Sequence, residues 1–536
     1  MTDPNIIVRE ATGADAPGIR EVFQTCYGDE YPYPQYYDVQ LLTKMVYSDD
    51  TLILVAEDVA AQRIVGTASV VLQIGAYADL IGEFGRLAVL PEARNCGAGK
   101  LLMAERLRRV VDRLHVGLIE GRVVHPYTLR IAQGQGFAVV GFLPLKMLMR
   151  RRESLAVLVR YFGDALTLRN NNPRVVPEVH PLAHLALANC GLPVDAIVDE
   201  EAPAYPQCHN FMLQELTTEG YAALLRIQRG RVRNREIFGP LRLHYGFFKL
   251  QARHSNYLLA REEGRIAGAI GFTIDRIEKV VRVFELITLH DDVIRFLLSE
   301  LERLCREEWG AVYVEVDVSA YAPRMQRTLI ELQFLPAAYV PAMVFHDVER
   351  LDVVKMVRLL VPPEVGALML SPQAQEAADV VLRRFISRSV LPRIARAVGE
   401  LALFAGLGPE QVNRLAGACA LKQFQPGAVI FREGTPGGEL YILLEGAASV
   451  AVGGSAAPVG AVAAGECLGE MSLVTAGPHS ATVLATTFVE AAVLGHDELA
   501  ELIRLRPDIG LLLYRNVAAG MARKLKRSDE SLAARI

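Results

Sequence analysis

Glu83-Phe84-Gly85-Arg86-Leu87-Ala88-Val89-Leu90-Pro91-Glu92-Ala93-Arg94-Asn95-Cys96-Gly97-Ala98-Gly99-Lys100-Leu101-Leu102 decides how the first part of this chain folds. Its first half alternates and reads as a strand carrying Leu87 and Val89. Pro91 ends that strand, because proline has no N–H for a ladder. Gly97 and Gly99 predict a tight turn with positive φ and close backbone approach. Leu101, Ala104, Leu107, Val111 and Leu114 then recur at helical spacing, with Glu105, Arg108, Arg109 and Asp112 between them. A strand, a glycine turn and a helix start make an anion site, because the first helical N–H groups lack partners and the helix dipole adds to them. A pyrophosphate fits there. A dinucleotide fingerprint fits less well, since it sets Gly-x-Gly-x-x-Gly directly on the strand end.

The Arg94-x-x-Gly97-x-Gly99 spacing, with Leu87-x-Val89-x-Pro91 before it and an amphipathic helix after it, resembles the acyl-CoA signature of the GNAT N-acyltransferase superfamily. The resemblance implies that Arg94, Asn95, Cys96, Gly97, Ala98, Gly99 and Lys100 hold the phosphates of acetyl-CoA or another acyl-CoA. It implies that main-chain groups of Leu87 and Val89 pair with the pantetheine arm like an added strand. Glu83 stands where lysine-acetylating members carry the catalytic base. Such a base is needed because a lysine amine has a reference pKa of ~10.4 and must lose a proton before it attacks a thioester. The family's usual acid, a tyrosine four residues before the glycine of Gly136-Phe137, is replaced here by Ala132. Tyr127 lies nearby at another helical angle, and His125 reads as a capping or packing residue. Thiolate protonation then falls to a water, or the domain binds acyl-CoA without turnover.

Working outward, residues 6–150 read as alternating strands and helices in GNAT order. Ile6–Arg9 is a strand, Asp15–Val22 a helix start, and Leu52–Ala56 with Ile64–Val70 a hairpin. A strand near Leu118–Val124 and a helix from Pro126 follow, and Gly136-Phe137 opens a last strand pair. Tyr27, Tyr31, Tyr33, Tyr36 and Tyr37 crowd one loop. The resemblance puts that loop beside the acceptor cleft; a packed aromatic loop is the alternative.

An internal repeat follows. Leu54-Val55-Ala56-Glu57 leading to Arg63–Ala68 is echoed by Leu258-Leu259-Ala260-Arg261 leading to Arg265–Ile270. Val123–Tyr127 leading to Gln135-Gly136-Phe137 is echoed by Val316–Tyr321 leading to Leu332-Gln333-Phe334. Two segments in matching order predict a second GNAT-like unit over about 206–350. After its strand Val281–Ile287 comes Thr288-Leu289-His290-Asp291-Asp292-Val293, with no glycine and two aspartates where a pyrophosphate would sit. Like charges repel, so this copy is expected not to be catalytic. Arg226, Arg229, Arg231, Arg233 and Arg235 read as a solvated basic run. Ser371-Pro372 predicts a helix start, with a stripe of Val380, Leu382, Phe385, Ile386, Val390 and Leu391 behind it.

The last part changes character. Glu439–Gly446, Gly465–Leu473 and Gly477–Val483, with the lead-in Leu403–Leu407, resemble a cyclic nucleotide-binding domain. The resemblance implies a cyclic AMP or cyclic GMP site in which Gly469, Glu470, Ser480 and Thr482 stand at family positions and Glu470 accepts from the ribose hydroxyl. His479 replaces the family's phosphate-neutralising arginine. An arginine offers a permanent charge and a two-pronged donor, whereas a histidine with a reference pKa of ~6.5 is only partly charged at neutral pH. Weaker phosphate binding is expected, or a cassette that has lost the nucleotide. Glu498–Leu505 and Ile509–Lys526 read as closing helices with no helix-turn-helix after them, so no DNA partner is expected.

Composition bounds the rest. Hydrophobic residues make up 51% of the chain and the net charge is −4, so large cores are available and nothing global points to nucleic acid. Seven dispersed cysteines without a Cys-x-x-Cys pair predict reduced thiols and a cytoplasmic setting. No signal peptide or membrane-length apolar run is visible, and no metal cluster is expected.

The expected fold is multidomain, with two α/β (α+β) GNAT-like units with mixed sheets, a helical connector and a β-roll cyclic nucleotide-binding-type domain. The expected limits are 1–150, a connector 151–205, 206–350, a helical linker 351–400, and 401–536. The expected function is acyl-CoA-dependent N-acyl transfer to an amine, protein lysine included, under cyclic nucleotide control. The alternative is a non-enzymatic acyl-CoA- and nucleotide-responsive sensor or interaction protein.

Overall fold

Strand-forming runs in the first 360 residues assemble into one long mixed sheet. The computed structural model describes residues 6–72, 79–94, 96–216, 236–239, 255–361, 366, 368–397, 405–453, 459–470 and 477–533. These fall into two compact units, Met1–Val381 and Leu382–Ile536. The arginine run 226–235, Asn95 and part of the lead-in 403–407 lie outside the described residues.

In the first unit, β1 (Ile6–Glu10), β2 (Thr51–Asp58), β3 (Arg63–Leu72) and β4 (Ile81–Val89) pair antiparallel in sequence order. Helices α1 (Ala16–Tyr27) and α2 (Val39–Val46) separate β1 from β2. α3 (Ala98–Val110) is the crossover that lets β5 (Val116–Arg122) lie parallel to β4. α4 (Tyr127–Gln133) leads to the hairpin of β6 (Ala138–Leu148) and β7 (Arg152–Tyr161), and β7 inserts between β5 and β6. A short parallel pair, β8 (Arg174–Val175) and β9 (Ile197–Val198), flanks α5 (His180–Asn189).

The order then recurs. β10 (Met212–Glu215), β12 (Ser255–Glu262), β13 (Arg265–Asp275) and β14 (Val280–Thr288) pair antiparallel, with β11 (Ile237–Phe238) set apart. Helix α6 (Asp292–Glu307) crosses over to β15 (Tyr313–Ser319), parallel to β14. α7 (Pro323–Glu331) leads to β16 (Leu335–His346) and β17 (Glu349–Leu359), and β17 inserts between β15 and β16. The two halves meet at a single aligned pair, Gly141 of β6 with Ala338 of β16. A Cβ on Gly141 would lie 2.3 Å from the Ala338 Cβ, so only glycine lets the strands approach there.

The expected limits cut through this sheet. A boundary at 150 splits the β6–β7 hairpin, and one at 350 splits β17. The segment expected as a connector is partly β7 itself. Its remainder is tied in by Arg169, whose Nη2 reaches Asp352 of β17 at 2.7 Å and Asp195 at 2.9 Å. The helix Pro372–Ala397 starts where Ser371-Pro372 predicted. Its buried face is Ala374, Ala377, Ala378, Val381 and Phe385, while Val380 and Leu382 are only half-buried.

The second unit has two antiparallel four-stranded sheets. One contains β18 (Ala420–Phe424), β20 (Glu439–Glu445), β23 (Cys467–Leu468) and β25 (Val489–Gly495); the other contains β19 (Val429–Phe431), β21 (Ala447–Ala451), β22 (Gly460–Ala463) and β24 (Thr482–Ala485). Tyr441, Leu443, Val483 and Ala491 form a core between them. The helices Pro409–Gly417, His496–Leu505 and Pro507–Ala533 pack a second core against Leu440, Ile442 and Leu494.

Candidate functional site

β4 and β5 pair only at Ile81–Val116, Gly82–Gly117 and Glu83–Leu118, and then diverge. On the other side of β4 the register slips between Thr67 and Ser69, so Arg86 and Leu87 form a bulge and Arg86 takes φ 54°. The fully buried Arg106 of α3 pins this bulge, donating to Ser69 O at 3.1 Å and Gly85 O at 3.0 Å. Burial, then the charge of Arg86, pushes the Arg106 guanidinium down to about 9. Leu90 N–H donates to Val65 O, so the alternating geometry turns the main chain of Val89 away from β3. Arg94 Nε and Cys26 Sγ both reach Val89 O, at 3.3 and 3.4 Å.

The open edge of β4 runs into the start of α3. Gly97 sits at φ 83° and caps the helix, and Lys100 and Leu101 N–H both turn back to its carbonyl. The N–H groups ahead of them have no intrahelical acceptor. Gly99 departs from expectation: it is helical, and its missing side chain accommodates Ile131, whose Cδ1 would stand 3.0 Å from a Cβ. Arg94, Gly97, Ala98, Gly99 and Lys100 line one cleft with Leu87 and Val89; Cys96 is exposed beside them.

That cleft, ≈ 2390 Å³ in volume, also contains Glu83. The Glu83 carboxylate is half-buried and bonded to Arg86 Nη1 at 2.8 Å. Burial works against the Arg86 charge, but Glu83 and neighbouring tyrosines hold its pKa above the ordinary value. Tyr27, Tyr31 and Tyr36 pack on Phe23 and Tyr33 packs on Tyr31, as in a packed aromatic loop, while Tyr27, Tyr31 and Tyr33 also line the cleft. Ala132 is fully buried, while Tyr127 is exposed at the rim. His125 lines the cleft with a buried Nδ1 that has no hydrogen-bond partner among the described residues, and burial followed by Arg122 lowers its pKa.

Sequence reasoning missed what the second half brings to this cleft. Asp275, Glu278, Arg282 and Trp309 are part of its wall. Behind them lies a buried charge network in which Lys146 pairs with Glu120 and Glu315 at 2.8 Å each, and Lys355 pairs with Glu315 and Asp317 at 2.8 and 2.9 Å. No local motif marks these residues, because they come from β5, β6, β15 and β17, strands far apart in the chain.

The corresponding slot of the second half is filled. β14 and β15 also part, after Val283–Val316, but β11 lies there as an extra strand. Ile237 and Phe238 are buried, and Ser319 N–H donates to Glu236 O at 2.8 Å. Asp291 is bonded to Arg324 at 2.8 Å, and Asp292 begins α6.

A family model described as an acetyltransferase (GNAT) domain matches residues 49–138, which span β2, β3, β4, the glycine turn, α3, β5 and α4. One described as a cyclic nucleotide-binding domain matches 421–506, the two-sheet cassette. The chain fuses a GNAT acetyltransferase domain to a cyclic nucleotide-binding domain. Over 104 residues, 19% of this chain, it is 33% identical to a cAMP-dependent protein kinase regulatory subunit of Colletotrichum orbiculare, covering 27% of that protein. Over 133 residues, 24% of this chain, it is 32% identical to the cyclic AMP receptor protein of Thermus thermophilus, covering 60% of it. The solved catabolite activator protein of Thermus thermophilus is 32% identical over 25% of this chain and 62% of its own, with a TM-score of 0.23. Both curated relatives are thus matched over less than two thirds of their length.

Within the cyclic nucleotide-binding domain, Gly469 and Glu470 directly follow β23, with Gly469 at φ 81°; residues 471–476 lie outside the described residues. His479 is buried and stacks on Phe431 with ring centroids 4.0 Å apart. Burial lowers its pKa and Glu439 partly offsets this, so the imidazole is less charged at neutral pH than the sequence alone suggested. Thr482 Oγ1 accepts from Glu433 N–H at 3.0 Å, and Ser480 is exposed beside it. No metal-holding cluster occurs among the described residues, and no described helix is long and apolar enough to cross a membrane.

Proposed function

We propose that this chain is an acyl-CoA-dependent N-acyltransferase acting on amines, with protein lysine as the leading acceptor class, under the control of a cyclic nucleotide. The observation that carries the reading is the split between β4 and β5. It sets Leu87 and Val89 along the wall of a cleft that ends at the helix start around Gly97. An extended pantetheine arm would complete the sheet at that edge, and the diphosphate would meet the helix start and Arg94. Glu83, at the last paired position of β4, is the candidate proton acceptor, and Arg86 orients its carboxylate. The GNAT match supports acyl transfer, and relatives named for cyclic AMP support a cyclic nucleotide as effector. With β11 in its slot, the second half reads as a wall of the first site and not as a second transferase.

The test is to incubate the purified chain with labelled acetyl-CoA and a protein extract, with and without cyclic AMP or cyclic GMP. Label transferred to protein, at a rate that changes with nucleotide, supports the reading. Saturable CoA binding without transfer to any acceptor favours a sensor.

A further inference from the structure

The cleft contains a carboxylate from the opposite half of the sheet. Glu278 sits in the turn between β13 and β14 and is 8% exposed, yet it lines the same cleft as Glu83. Tyr33, from the loop after α1, lines the same cleft, and its hydroxyl favours the ionised form of the Glu278 carboxyl. The turn is anchored from the first half as well, because Arg152 of β7 donates to the Glu278 carbonyl oxygen. Tyr33 also feels the charges of Arg86, Glu83 and Glu120, so the two candidate carboxylates converge on one tyrosine.

We propose that Glu278 is a catalytic carboxylate of the acyl-transfer cleft, taking the first proton from the incoming ammonium group. This rests on the transferase reading above. An alkylammonium has no lone pair until it loses a proton. Glu278 accepts that proton, and the freed nitrogen forms the C–N bond with the thioester carbonyl. The tetrahedral adduct loses its second N–H proton to Glu83. The C–S bond then breaks with its electron pair on sulfur, and the thiolate takes the proton from Glu83. Glu278 releases its own proton to solvent. The sum is ammonium plus thioester giving amide, free thiol and one proton.

The charges around Glu278 suit this task. Burial raises its pKa, and the Asp275 carboxylate in the same turn raises it further. Lys146 of β6 opposes that, Glu120 of β5 reinforces it, and the Tyr33 hydroxyl opposes it, leaving the carboxyl at about 7. A group poised there accepts protons at neutral pH and returns them readily. Glu83 is bound to Arg86, and protonating it first would leave a buried arginine without its partner.

The experiment compares wild type, Glu278→Gln and Glu278→Asp as full chains, with acetyl-CoA and either spermidine or a lysine peptide as acceptor probe, from pH 6 to pH 8. The expected result is a kcat/KM loss on the order of 10² for Glu278→Gln at pH 8, the usual worth of a proton acceptor. The ratio of wild type to variant should grow about tenfold between pH 6 and pH 8 as Glu278 ionises. CoA affinity by calorimetry should stay unchanged, and Glu278→Asp should recover part of the rate. A pH-independent ratio, full activity of Glu278→Gln, or loss of CoA binding in that variant overturns the proposal. A wild type that binds CoA yet acetylates neither probe overturns the transferase reading, and this proposal with it.

Discussion

At the residue scale, the cleft depends on how each carboxylate is held. Glu83→Gln removes a proton acceptor but keeps the shape and a hydrogen bond to Arg86. Turnover at pH 7.5 should fall by about 10²–10⁴ while CoA affinity stays the same; an unchanged rate in a steady-state assay removes Glu83 from the chemistry. His479 is the second residue where one atom set decides affinity. Its ring lies flat on Phe431 and its pKa is lowered, so it carries little charge at neutral pH. Binding of cyclic AMP should therefore be weak and strengthen only as the pH falls below the ordinary imidazole range. His479→Arg can keep the aromatic stacking while adding a two-pronged cation. It should tighten cyclic AMP binding about ten- to a hundredfold, since a charge-assisted hydrogen bond contributes about 1.5–3 kcal/mol. Calorimetry showing tight, pH-independent binding by the wild type would contradict the charge argument.

At the scale of elements, two nearly identical strand splits have opposite outcomes. The β4–β5 split is open and ends on a glycine-capped helix, whereas the β14–β15 split contains Ile237 and Phe238. Titration of the full chain with CoA should give one site per chain. Gly97→Glu should abolish it, by forcing a side chain to φ 83° and placing a negative charge at the phosphate turn. Residual binding by that variant would mean that the second half still accepts CoA. The β6–β16 seam makes an equally local demand. In Gly141→Val a Cβ meets Ala338 and Ala337 O within 2.5 Å. Overpacking of this kind should cost about 2–3 kcal/mol and lower the urea midpoint of the first unit's unfolding. The glycine turn and the helix that follows were legible in the sequence because proline, glycine and helical spacing act within a few residues. The seam was not, since nothing beside Gly141 says what will face it.

At the scale of the whole molecule, Glu278 ties function to pH-dependent stability. Its carboxyl moves from the ordinary 4.5 to about 7 on folding. Between those values the folded chain holds a proton that the unfolded chain has released. The stabilisation is therefore complete below 4.5 and is lost as pH rises through 7. Glu278→Gln removes the cost of ionising a buried carboxyl. Its Tm should exceed that of wild type at pH 8, by an amount reflecting on the order of 2 kcal/mol, and the difference should vanish toward pH 4.5. Equal Tm differences at both pH values in differential scanning fluorimetry would rule this out. Such a trade, in which stability is given up for a poised acid–base group, is expected at a working site.

The sequence by itself determined the strand–glycine–helix at Gly97, the repeat of the sheet's first strands and the motif order of the cyclic nucleotide-binding domain. Each is written in short-range chemistry: a missing N–H at Pro91, a missing Cβ at Gly97, alternating or helical apolar spacing. Only the tertiary structure decided that β7 slips between β5 and β6, that Gly141 joins two half-sheets into one, that β11 fills the second slot, and that Glu278 enters the first. Those outcomes depend on which apolar faces and charges end up opposite one another across hundreds of residues, and that information is spread over the whole chain.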